Sequence, residues 1–132
     1  MEEQLITFKT AILSKHKGFD VPVKFGVYGV KMKLTHFHKK GVFENVNWNA
    51  KEKQQSHSKA TSIPTQSLLQ KWLRDNHKVS IQINDYRDAL KGECFSFRVK
   101  KLHNYTDVDF DGYFKTYEEA LEEALYEGLS LI

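Results

Sequence analysis

The fold class of this chain is decided by residues 64–99, which read PTQSLLQKWLRDNHKVSIQINDYRDALKGECFSFRV. After the proline come four apolar residues at the spacing of one helix face: Leu68, Leu69, Trp72 and Leu73. Apolar residues then alternate with polar ones in two runs, at Val79, Ile81 and Ile83 and at Phe95, Phe97 and Val99. A turn at 87–92 separates the runs. The stretch therefore predicts a helix over 65–77, capped by Thr65, followed by an antiparallel hairpin.

Two further helices flank this centre. Thr116 and Glu119 have the spacing of a capping box. The apolar residues that follow at helical spacing are Ala120, Leu121, Ala124, Leu125, Leu129 and Ile132. They predict a helix over 117–131. Near the start of the chain, Leu5, Phe8, Ile12 and Leu13 also fall at helical spacing. They predict a helix over 2–16 that ends before Gly18.

The remaining strand patterns lie between the first two helices. Apolar residues alternate over 23–27 and again, on the opposite parity, over 30–34, which predicts two strands with a turn or bulge between them, or one strand with a bend. A third strand is expected at 42–48, and the polar stretch 49–62 predicts a mobile loop. The sequence therefore predicts a single α+β domain over residues 1–132, with a mainly antiparallel sheet packed with three helices.

Length and composition indicate a globular protein. A chain of 132 residues fits one domain, and 40% hydrophobic with 28% charged residues argues against a disordered chain. No apolar run approaches the roughly 20 residues of a membrane span, and Met1–Gln4 lacks the basic start of a signal peptide. We therefore expect a cytoplasmic protein without membrane contact. The single cysteine, Cys94, lies beside Phe95 and predicts a buried thiol in a reducing compartment.

The net charge of +3 hides an asymmetry along the chain. Residues 1–60 hold 11 lysines and no arginine against 5 acidic residues, a net charge of +6. Residues 103–132 hold Lys115 alone against 8 acidic residues, a net charge of −7. A basic front and an acidic end indicate either an anionic partner for the front or attraction between the two segments. Ordinary solvated surfaces are the alternative.

The basic segment predicts a candidate anion-binding surface. Its lysines interleave with aromatic residues on predicted strands, the pattern of a surface that neutralises phosphates and stacks bases. The candidate residues are Lys24, Lys31, Lys33, His36, His38, Lys39, Lys40 and Trp48. No arginine precedes Arg74, which disfavours base-specific contacts. His36 and His38 also have the i, i+2 spacing of metal ligands on one side of a strand, although no third ligand is evident nearby.

Residues 107–118, DVDFDGYFKTYE, match the calcium-loop pattern D-x-[DN]-x-[DN]-G-x5-E. In this interpretation the side-chain ligands are Asp107, Asp109, Asp111 and Glu118. The alternative is a strand end, a hairpin turn at Asp111-Gly112 and a helix that starts at Thr116. The strand-like alternation before the motif and the lysine at its ninth position favour this alternative.

The sequence offers no recognisable catalytic constellation. Cys94 lacks the context of a nucleophile elbow, and no glycine-rich phosphate loop occurs. We therefore predict that the chain is not an enzyme and uses no cofactor, with calcium as the one alternative.

Two segments resemble a known family. Residues 64–74, PTQSLLQKWLR, and 116–132, TYEEALEEALYEGLSLI, are similar to small uncharacterised proteins encoded by gut bacteria and their phages. Both segments have helix-forming sequences, so the resemblance implies a shared fold and no chemistry. With the charge asymmetry, it favours an accessory protein of phage or mobile-element type that binds a host or phage protein or assembles with copies of itself. Binding of nucleic acid or a nucleotide through the basic segment is the alternative.

Overall fold

The computed structural model describes residues 3–28, 47, 49, 60–102 and 106–132. The described helices are α1 (Phe8–His16), α2 (Gln66–His77) and α3 (Tyr117–Ser130). The described strands are β1 (Gly26–Tyr28), β2 (Ala60–Ser62), β3 (Val79–Asp88), β4 (Gly92–Lys101) and β5 (Thr106–Phe114), and they form two antiparallel sheets. The predicted α+β class with three helices is confirmed.

The chain divides into two compact units. The N-terminal unit is residues 5–65, and the C-terminal unit is residues 66–132 together with residues 1–4. The prediction of one domain over residues 1–132 stays a prediction.

In the N-terminal unit, α1 begins at Phe8 with Thr7 as its N-cap, rather than near residue 2. The residues before it are extended, because the Ile6 N–H donates to the Pro64 carbonyl at 3.1 Å. This backbone pairing with a distant segment overrides the local helical spacing. The predicted start of the helix is therefore wrong, whereas its predicted end before Gly18 is confirmed.

The sheet of the N-terminal unit pairs β1 antiparallel with β2, and all three residues of β2 are buried. Asn49 contacts this sheet, since the Ser62 N–H donates to Asn49 Oδ1 at 2.8 Å. The predicted loop over 49–62 is therefore wrong at its end, where the chain forms a buried strand. The rest of that loop apart from Asn49, the strand predicted at 30–34 and most of the strand predicted at 42–48 lie outside the described residues.

The C-terminal unit has the order α2, β3, β4, β5, α3, with β4 in the middle of its sheet. Both helices pack on one sheet face. A Cβ placed on Gly128 of α3 would lie 3.3 Å from Val79 Cγ1 on β3 and 3.4 Å from Leu73 Cδ1 on α2. The fully buried apolar side chains of this layer are Leu69, Leu73, Val79, Phe97, Val99, Leu125 and Leu129. The predicted hairpin and the helices predicted at 65–77 and 117–131 are confirmed.

A short turn joins β3 to β4. Asp88 Oδ1 accepts hydrogen bonds from the N–H groups of Leu90 and Lys91 at 2.8 and 3.0 Å, and these bonds lower the pKa of the Asp88 carboxyl. Gly92 then adopts a φ of +79°, a left-handed conformation that favours glycine. From there the strands pair without a break to Val79↔Lys101. Residues of even number on both strands therefore share one face, and residues of odd number share the other.

His77, the last residue of α2, is expected to make stability depend on pH. Its ring lies edge-on to the Trp72 ring, with 4.6 Å between the ring centres. The pKa of His77 is lowered, mainly by partial burial and secondarily by the charge of Lys101. The His77 imidazole is therefore protonated less readily in the folded chain than in the unfolded chain, where its pKa is about 6.5. The free energy of unfolding should therefore fall as the pH drops through about 6.5 and level off below the lowered pKa.

Urea unfolding of the wild type and of His77→Gln at about pH 7.5 and about pH 5 checks this expectation. Other titrating groups contribute equally to both proteins, so the variant should lose less stability on acidification than the wild type. An equal loss in both proteins would show that His77 does not couple to folding.

Candidate interaction surface

The sheet of the C-terminal unit has a face that α2 and α3 do not cover, and we call it the open face. Odd-numbered residues such as Val79 and Val99 point to the helices and are buried. Even-numbered residues of β3 and β4 point the other way, and Gln82 and Asn84 are exposed. The open face consists of Ser80, Gln82, Asn84, Tyr86, Cys94, Ser96, Arg98, Lys100, Asp107, Asp109 and Tyr113.

Two oppositely charged pairs lie in register across β4 and β5. Arg98 is opposite Asp109, and Lys100 is opposite Asp107. Arg98 Nε and Nη2 donate to the two carboxylate oxygens of Asp109 at 2.5 and 3.1 Å. The hydrogen bond from Arg98 lowers the pKa of Asp109, while 42% of the Arg98 side chain and 53% of the Asp109 side chain remain exposed. A cationic row on β4 therefore runs beside an anionic row on β5.

Aromatic side chains gather at the turn end of the open face. The rings of Tyr86 and Tyr113 are 6.0 Å apart, and Lys91 Nζ lies 3.7 Å from the centre of the Tyr113 ring. Cys94 is opposite Tyr86 and is buried, so the predicted buried thiol is confirmed. Partial burial, with the neighbouring Cys94 and Tyr113, raises the pKa of the Tyr86 hydroxyl. Tyr113 is 54% exposed, and Leu90 in the adjoining turn is 95% exposed.

Of the predicted anion-binding residues, the structure describes only Lys24. It lies in the N-terminal unit, where it is exposed and its Nζ is 5.5 Å from the centre of the Phe25 ring. The other members of the set lie outside the described residues: Lys31, Lys33, His36, His38, Lys39, Lys40 and Trp48. The anion-binding surface stays a prediction.

The predicted calcium ligands lie on two regular elements. Asp107, Asp109 and Asp111 belong to β5, and Glu118 lies in the first turn of α3. Asp109 is already bound by a guanidinium, as described above. Within the described residues, no three His, Cys, Asp or Glu side chains form a group that could hold a metal ion. Calcium binding stays a prediction.

The alternative interpretation of the same residues is partly wrong and partly confirmed. Asp111 and Gly112 continue β5 where the register shifts, since Phe110 pairs with Phe97 and Phe114 with Phe95, so they do not form a hairpin turn. A local irregularity in one strand accommodates the additional residues. The capping interaction is present: the Glu119 N–H donates to Thr116 Oγ1 at 3.1 Å, and Glu119 Oε2 accepts from the Lys115 N–H at 3.3 Å.

The open face was not predicted from the sequence. The sequence pattern that could have indicated it is the polar half of the strand alternation, in which Tyr, Asn, Gln, Ser and Arg recur at every second position of β3 and β4.

None of the helices in the described ranges combines the length and apolar character needed to cross a membrane. Comparison of the chain with protein-family models, with curated proteins and with solved structures found no match.

Proposed function

We propose that this chain is a binding protein that acts by contact with another protein, and that the open face is its contact surface. The observation that carries the proposal is the kind of side chain on this face. Tyrosine and arginine are enriched at the centres of protein interfaces. Tyr86 and Tyr113 offer broad, rigid rings, while Gln82, Asn84 and Ser96 offer adaptable hydrogen-bonding groups, a combination also used by antibody binding loops.

The charge balance of the surface favours a protein over a polyanion. The cations of the open face and its adjoining turn are Lys91, Arg98 and Lys100, and the anions are Asp88, Asp107 and Asp109. Nucleic-acid affinity comes mainly from cations that neutralise phosphates, and it needs an excess of positive charge. This surface has no such excess, so its electrostatic attraction to a polyanion would be weak.

The proposed type of protein is inferred from the sequence. The resemblance to small phage and gut-bacterial proteins supports an accessory protein of phage or mobile-element type, and the lack of a catalytic motif supports binding without catalysis. We place such a protein in the cytoplasm. Nucleic-acid or nucleotide binding through Lys31, Lys33 and their neighbours is a second candidate, because residues 1–60 carry a net charge of +6. Its affinity would fall steeply as salt is raised.

Capture from a nuclease-treated bacterial lysate tests the assignment to the open face. Asn84→Arg and Ser96→Arg each place a long charged side chain on this face, and Ser130→Arg places the same side chain on an exposed position of α3. We expect the wild type and Ser130→Arg to retain the same proteins, and the two open-face variants to retain them at least about tenfold less. Equal retention by all four proteins would contradict the proposal.

A further inference from the structure

We propose that the open face binds the open face of a second copy of this chain, across a twofold axis that runs along the strands between β4 and β5. This inference rests on the proposed function and names the partner. It follows from the charge pattern of the face, which is complementary to itself in this orientation.

The complementarity comes from the strand register. Arg98 and Lys100 form a row on β4, and Asp109 and Asp107 lie directly opposite them on β5. Neighbouring strands are about 4.8 Å apart, so the cationic and anionic rows are adjacent and parallel. A twofold axis between the rows exchanges them, and each cation of one copy then faces the matching anion of the other. Such an interface, with the same patch on both copies, is the commonest kind in symmetric oligomers.

Other orientations lack this match. A twofold axis that crosses the strands at right angles would place β4 over β4, so that Arg98 and Lys100 would face cations of the second copy. Like charges that face each other across an interface repel and suppress that arrangement. The charge pattern therefore selects one orientation.

The hydrogen-bonding capacity of Arg98 agrees with the same axis. A guanidinium carries five N–H donors, and Asp109 of the same copy accepts from two Arg98 nitrogens. The further donors of Arg98 suit a second carboxylate, and the four charges would form one network across the interface.

Charge reversal tests the pairing directly by sedimentation equilibrium. Arg98→Asp and Asp109→Arg should each weaken self-association by about 100-fold or more. In a dimer of either variant, residue 98 of each copy faces a residue 109 of the same charge in the other copy, so the twofold axis creates two repulsive contacts. A 1:1 mixture of the two variants should regain a dimer, since residues 98 and 109 then carry opposite charges wherever they face each other across the interface. Matched controls are Arg74→Asp and Asp75→Arg, which make the same changes in an exposed ion pair on α2. Both controls should associate like the wild type.

Each outcome decides the inference. A monomeric wild type, a dimer that neither reversal weakens, or a mixture that stays monomeric would overturn it. The Arg98–Asp109 pair is half exposed and contributes little to folding, and thermal unfolding of each variant verifies that it is folded. A monomeric wild type whose lysate partner is still lost with Ser96→Arg would reject self-pairing and leave the proposed function standing.

Discussion

Replacement of Phe97 by alanine is expected to lower the free energy of unfolding of the C-terminal unit by about 3–5 kcal/mol. Phe97 lies on the central strand β4, is 2% exposed and has its ring 5.9 Å from that of Phe114. Truncation removes a buried ring and leaves a cavity between the sheet and the helices, and surrounding residues collapse only partly into such a space.

Phe95 supplies the matched comparison for this prediction. It points to the same sheet face two residues earlier, but it is only partly buried and its ring contacts the exposed Tyr117 edge-on at 6.3 Å. Phe95→Ala should therefore cost about 1–2 kcal/mol, because less apolar surface returns to water. Urea unfolding followed by circular dichroism measures both values. A cost for Phe97→Ala equal to or smaller than that for Phe95→Ala would contradict the description of the core.

Replacement of Gly128 by leucine is expected to lower the free energy of unfolding by about 3 kcal/mol. Gly128 is the point where α3 approaches the sheet, and a Cβ there would already lie 3.3 Å from Val79 Cγ1. A full leucine side chain would force α3 away from Leu73 and Val79 and would loosen the whole helix layer.

Gly128→Ala is the control for this close approach. Alanine gains about 1 kcal/mol of helix propensity over glycine, and the tight Cβ contact offsets that gain, so we expect little net change. Unfolding of the two variants in urea separates propensity from packing. If Gly128→Leu were as stable as the wild type, α3 would not pack on the sheet as described.

Local sequence patterns were sufficient to predict the helices and strands in the second half of the chain. The apolar stripe that ends at Leu73, the alternation around Ile81 and Phe97, and the capping pair Thr116 and Glu119 each act within one element or its neighbour. Helix period, strand period and capping chemistry are properties of short segments, so they can be read without knowledge of distant contacts.

The errors occurred where distant backbone pairing decides the conformation. The residues before Phe8 are extended because the Ile6 N–H pairs with the Pro64 carbonyl, more than fifty residues away. The sequence Ala60–Ser62 has no apolar pattern, yet it forms the buried strand β2. The sequence Asp111-Gly112 is typical of a turn, but both residues continue β5 because Phe110 and Phe114 on either side of them pair with β4. In each case tertiary contact overrides local propensity.

The charge pattern of the open face cannot be predicted from the periodicity of the sequence alone. The alternation of β3 and β4 shows that one face is polar, but the match of Arg98 with Asp109 depends on the register between β4 and β5. A shift of that register by one residue would send Asp109 to the helix face. The self-complementary charge pattern is therefore a property of the fold that the sequence alone does not reveal.

Site-specific photo-crosslinking tests the central claim most directly. A benzophenone amino acid placed at Gln82, Asn84 or Ser96 probes the open face, and the same residue at Lys71 or Ser130 probes exposed helix positions. We predict covalent adducts with protein from the three open-face positions and at least about tenfold less from the two helix positions. Equal adduct yields from both sets, or adducts from the helix positions alone, would contradict the claim that the open face is the contact surface.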